Sequence, residues 1–92
     1  MIHDIEKESI EGLRFPSEEV HLSAESRAQL RHELDMASTL GNLEKHKVRI
    51  VFEDGEGKKA VITTIWGVTE KQVILKGGRS VPVHRIHSIS FT

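Results

Sequence analysis

The chain's 92 residues carry 13 Lys and Arg against 14 Asp and Glu, and a chain of this length makes one domain that buries roughly 60% of its unfolded surface. It holds no Cys, which excludes disulfides, thiolate metal sites and a thiol nucleophile and points to a reducing cytoplasm. No apolar run reaches the length of a signal core or a membrane span, and Asp4 and Glu6 stand where a signal peptide would be basic, so no membrane partner is expected.

The net charge of -1 conceals a division along the chain. Residues 1–44 sum to -6 and residues 45–92 to +5, with three of the six histidines in the second half. Such clustering is expected either to steer a partner onto a basic face or to be neutralised by the acidic half on folding.

Residues 1–22 read as a partly ordered arm. Its apolar positions, Ile2, Ile5, Ile10 and Leu13, fit a helix loosely and a short strand equally. Pro16 ends either one. Leu13 and Phe15 are expected to reach the core or a neighbour. The domain proper is expected over 23–92. It opens with a helix at 23–40, N-capped by Ser23, with Glu25 in the first turn and one stripe of Leu30, Leu34 and Ala37. The sequence "GN" at 41–42 is its expected stop.

From residue 46 the hydrophobic period becomes two. "HKVRIVFE" alternates Val48, Ile50 and Phe52 with polar positions, "DGEGK" reads as a hairpin turn, and "AVITTIW" is dense in β-branched residues. "QVILK", "SVPV" and "IHSISF" follow, each after a short turn. Pro82 cannot donate to a ladder, which makes "SVPV" an edge strand, and a single 3₁₀ turn over Val83 to Ile86 is expected to swing the chain into the last one. The expected fold class is therefore mainly β: an N-terminal α-helix followed by a five-stranded antiparallel small barrel of the Sm-like or SH3-like kind. The core is expected from Leu30, Leu34, Val48, Ile50, Phe52, Val61, Ile65, Val73, Leu75, Val83, Ile86 and Ile89.

Helix, then five strands, with a one-turn junction before the last, resembles the Sm-like fold over roughly residues 24–92. "PVHRIHS" is similar to the closing segment of the bacterial Hfq RNA-chaperone family, with His84 and Ile86 at that motif's histidine and isoleucine and with Pro82 and Val83 in place of its tyrosine and lysine. The Asp-Gly hairpin and the final "HRIHSISF" also resemble the Rof family of Rho inhibitors, whose inhibition works through an acidic surface. These resemblances imply RNA binding or regulation of transcription termination.

No nucleophile elbow or complete phosphate loop is present, so no enzyme activity, cofactor or small-molecule substrate is expected. "HRIH" with His46 offers imidazoles, but neither a thiolate nor a nearby carboxylate joins them, and no metal is expected. The sequence instead suggests a binding rim of Lys47, Arg49, Trp66, Lys76, Arg79, His84, Arg85 and His87, on which His84 and Arg85 project from the closing turn and whose charge rises as His84 and His87 protonate. Trp66 is expected to pack beneath the helix with Ile62. In its alternative role it is a stacking platform flanked by Lys71, Lys76 and Arg79. The expected activity is that of a non-catalytic interaction module working through a protein partner or self-association, with RNA as the alternative ligand.

Overall fold

The switch of period at residue 46 sets the architecture. A computed structural model, which describes residues 2–92, places Lys47–Glu53 (β2) antiparallel to Lys58–Val68 (β3), with Ile50 opposite Val61 and Val48 opposite Thr63. The turn between them is built by Asp54, whose Oδ1 accepts from the Glu56 and Gly57 N–H groups at 2.9 and 3.1 Å. β3 runs for 11 residues and serves two partners in succession. Its first part pairs with β2, and after an irregularity between Ile65 and Gly67 its end pairs with Gln72–Leu75 (β4). Ser80–Pro82 (β5) pairs with β4, and Ile86–Phe91 (β6) returns to the far side of β2.

The resulting six-stranded sheet has the order β5-β4-β3-β2-β6. His3–Asp4 (β1), off that path, lies parallel to the start of β3. The strand count thus exceeds the expected five by β1, which comes from the acidic arm. The pairings form an open path, and among the described residues no ladder joins β5 to β6. Pro82 ends β5 without a donor, and the 3₁₀ turn Val83–Arg85 separates it from β6.

The helix (α1) spans Ala24–Glu44, with the Ser23 side chain accepting from the Ser26 N–H at 3.0 Å as its N-cap. Expected to stop at 41–42, it continues a further turn. Gly41 is helical because of what it touches: a Cβ there would lie 2.3 Å from the Ile65 carbonyl oxygen, so the glycine admits close backbone approach between helix and β3. The C-cap is Lys45 at φ 54°, whose N–H reaches the carbonyls of Gly41 and Leu40.

Eleven of the expected core residues are buried; Val83 is only half-buried, packed on the edge of the cluster. The arm contributes more than Leu13 and Phe15. Ile10, in a 3₁₀ helix over Lys7–Gly12, and Val20 are fully buried, and the Phe15 ring lies 5.9 Å from that of Phe52. Among the described residues no helix is long and apolar enough to cross a membrane.

Candidate functional site

The residues expected to share one rim divide between two surfaces. On the first, cations are held by the arm. Arg49 Nη2 meets Asp4 Oδ1 at 3.1 Å, and Arg79 Nε lies 3.3 Å from Glu11 Oε1, close enough for an ion pair although not aligned as a hydrogen bond. His84 Nε2 sits 2.8 Å from the Pro16 carbonyl; a carbonyl only accepts, so the ring nitrogen is the donor.

Arg85 departs furthest from its expected position. It is 6% exposed, and its Nε and Nη1 donate to the carbonyls of Glu53 at 2.9 Å and Glu18 at 2.7 Å. It therefore does not project from the closing turn but fixes residues 16–20 onto the strands, helped by the Val20 N–H to His84 carbonyl bond at 3.0 Å. A guanidinium suits this because its planar fork satisfies two carbonyls at once. His87 is committed as well. Its Nε2 is 2.8 Å from Glu53 Oε1, and this hydrogen bond, with the nearby charge of Arg85, holds the Glu53 carboxyl below its ordinary range despite partial desolvation.

The second surface is the end of the sheet beneath the helix C-terminus, and buried Thr64 is its hub. Thr64 pairs across the strands with Lys47, its carbonyl accepts from the Lys76 N–H at 2.9 Å, and its hydroxyl faces the Lys45 carbonyl at 3.5 Å. Two residues along β3 lies Trp66, whose carbonyl accepts from the Asn42 side chain at 3.1 Å. His46 and Phe91 close the same end with ring centroids 6.0 Å apart, and the Thr92 hydroxyl donates to the Lys47 carbonyl at 3.0 Å. Trp66 is 49% exposed and Ile62 54% exposed. Neither packs beneath the helix, because that position is taken by the Gly41 backbone lying directly on Thr64 and Ile65.

Lys45, Lys47 and Lys76 are exposed and make no ion pair among the described residues, whereas Arg27, Arg31, Arg49, Arg79 and Arg85 all do. Of the expected platform around Trp66, Lys76 is present; Arg79 is turned to Glu11, and Lys71 lies at the far end of β4 beside Thr69. The sequence reading missed Lys45, His46 and Phe91. The run "KHK" at 45–47 was its one visible trace, but only the fold brings Phe91 against it.

The remaining polar feature is structural. Asp54 is buried at the hairpin turn. Desolvation opposes its charge, yet the Lys59 ammonium and two backbone N–H groups outweigh that and hold the carboxyl below its ordinary range. Lys59 is correspondingly raised, first by its hydrogen bond to Asp54. Among the described residues no group of His, Asp and Glu is arranged to hold a metal ion. No protein-family model, curated protein or solved structure matches the chain.

Proposed function

We propose that this protein is a non-catalytic module that binds single-stranded nucleic acid, RNA in the first instance, at the lysine-rich end of its sheet. The observation that carries the reading is the convergence on Thr64: the backbones of three exposed lysines, without ion-pair partners among the described residues, meet at Thr64, two residues from the exposed Trp66, with His46 and Phe91 at the same end. Single strands are bound without reading sequence by this combination, cations tracking the phosphates while bases stack on aromatic faces. The overall charge of -1 does not oppose it, since local clusters set the field that a ligand meets within a Debye length. The helix ahead of the strands and the 3₁₀ turn that joins β5 to β6 along the chain support the finer reading of the fold as a small barrel of the Sm-like kind, for which the edges β5 and β6 would have to approach each other.

Fluorescence anisotropy of a labelled oligouridylate provides the test. Wild-type protein binds saturably, and Trp66→Ala weakens binding by about 1–3 kcal/mol, the contribution of one stacked base. An affinity unchanged in Trp66→Ala contradicts the proposal.

A second reading, docking of a protein partner or another copy, is favoured by the apolar side chains the helix leaves in solvent. Met36 is exposed and Leu43 is 77% exposed, and β5 and β6 end the strand order. Light scattering over a range of concentrations separates the two: a mass that rises with concentration and returns to that of the monomer in Leu43→Ser supports self-association.

A further inference from the structure

A cleft of about 980 Å³ opens on the opposite end of the helix, where the sequence held no sign of a small-molecule site. Four segments line it: residues 17–22, the first two turns of α1, the β3–β4 turn at 70–72, and the 3₁₀ turn at 83–84. Each segment is tied to another. The Val83 N–H donates to the Lys71 carbonyl at 2.9 Å, the Val20 N–H to the His84 carbonyl at 3.0 Å, and Arg31 Nη1 to the Thr69 carbonyl at 2.9 Å. Arg27 Nη1 joins helix to arm through Glu19 Oε2 at 2.9 Å. The cavity is thus framed by the fold and not by loose loops, and its volume lies within the range of small-ligand sites.

Its chemistry is two-sided. Leu30, which is buried, and the half-buried Leu22 and Val83 supply an apolar floor continuous with the core. At one end the Arg31 side chain donates to the Thr69 carbonyl, and the Lys71 backbone N–H is held by Thr69 Oγ1 at 3.3 Å, which fixes the backbone from which the exposed Lys71 side chain leaves. Among the described residues Lys71 has no ion-pair partner, and Asp35 at 3.9 Å is the one carboxylate within ion-pair distance of Arg31. Two carboxylates also line the cleft: Glu19 is engaged by Arg27, and Glu70 is exposed at the rim.

We propose that this cleft binds an amphipathic carboxylate, an acyl chain lying on Leu22, Leu30 and Val83 with its head group between Arg31 and Lys71. A guanidinium and an ammonium lining one cleft favour a carboxylate over a neutral head group of the same size, because charge-assisted hydrogen bonds are the stronger kind. An ammonium head group meets like charge at the same place. The inference is independent of the nucleic-acid reading, since it uses none of the residues around Thr64.

The probes are decanoate, 1-decanol and decyltrimethylammonium, titrated into the full chain and followed by amide and methyl chemical shifts. Decanoate shifts Leu22, Leu30 and Val83 saturably, and binds about tenfold tighter than decanol, the worth of one charge-assisted hydrogen bond. Arg31→Gln with Lys71→Gln removes that advantage and leaves decanol affinity as it was. Ala28→Phe, which fills the cleft from the exposed side of the helix, abolishes binding of both probes. Decanoate binding no tighter than decanol, tighter binding of the cationic probe, shifts confined to Met36 and Leu43, or no saturable binding at all overturns the proposal.

Discussion

The arginine-bearing face and the lysine-bearing end are built from the same basic half of the chain, yet only one of them has charge to offer. Arg49, Arg79 and Arg85 are each engaged by a carboxylate or carbonyl of the arm or its neighbours, and His84 and His87 are fixed likewise. Lys45, Lys47 and Lys76 have no such partner among the described residues, and their backbones meet at Thr64, on the end of the sheet that also carries Trp66, His46 and Phe91. The side chains suit the two roles, although they do not dictate them, since Lys59 is itself held by Asp54. A guanidinium binds two acceptors in fixed geometry and suits a structural clamp, whereas an ammonium is a strongly hydrated point charge that remains in solvent where no carboxylate meets it. The charge division along the sequence is therefore resolved in two ways, by neutralisation on one surface and by free charge on the other.

Four substitutions or titrations break or sharpen this contrast. The largest effect is expected at Arg85. Arg85→Met leaves the carbonyls of Glu18 and Glu53 without their donor and lowers unfolding free energy by about 3–5 kcal/mol in urea melts. An Arg85→Met variant as stable as wild type means the clamp is decorative. Asp54→Ala comes next, at about 2–3 kcal/mol, because the turn loses the acceptor of two backbone N–H groups and Lys59 loses its partner.

The same groups set the pH dependence. Asp54 and Glu53 are held below their ordinary values, so their stabilisation is present above the unfolded carboxylate range, about pH 4, and is lost as pH falls through the lower folded values. Lys59 is raised, so its contribution is complete below about pH 10 and is lost as pH climbs through the raised value. Asp54→Asn shallows both limbs of a stability profile measured by thermal melts, leaving the acid contribution of Glu53 and the weaker hold of Glu56 on Lys59. The smallest effect is expected at Arg49→Gln, under about 1 kcal/mol, since its pair with Asp4 is largely solvent-exposed.

Much of the fold was legible because it depends on local signals: the Ser23 cap, the alternation in 48–52, Asp54-Gly55 at the hairpin and Pro82 at an edge. What escaped was set by distant partners. Gly41 reads as a helix stop from its neighbours, and only the approach of Ile65 explains why the helix passes through it. Arg85 reads as a surface residue, and only the return of residues 16–20 over the 3₁₀ turn buries it. Ile10 and Val20 sit among charged neighbours with no clear period, so nothing local marked them as core. At the candidate site Lys47, Trp66 and Lys76 were readable individually, but their meeting at Thr64 depends on strand register.

The salt dependence of oligouridylate binding tests the central claim most directly, measured side by side on wild type, Lys47→Gln with Lys76→Gln, and Arg49→Gln with Arg79→Gln. Each single-strand phosphate contact contributes about -0.7 to the slope of log affinity against log salt. The lysine variant is predicted to bind weakly with a slope shallower by about 1.4, while the arginine variant keeps the wild-type slope. A lysine variant with the wild-type slope, or an arginine variant that loses it, contradicts the division of free and neutralised charge on which the account stands.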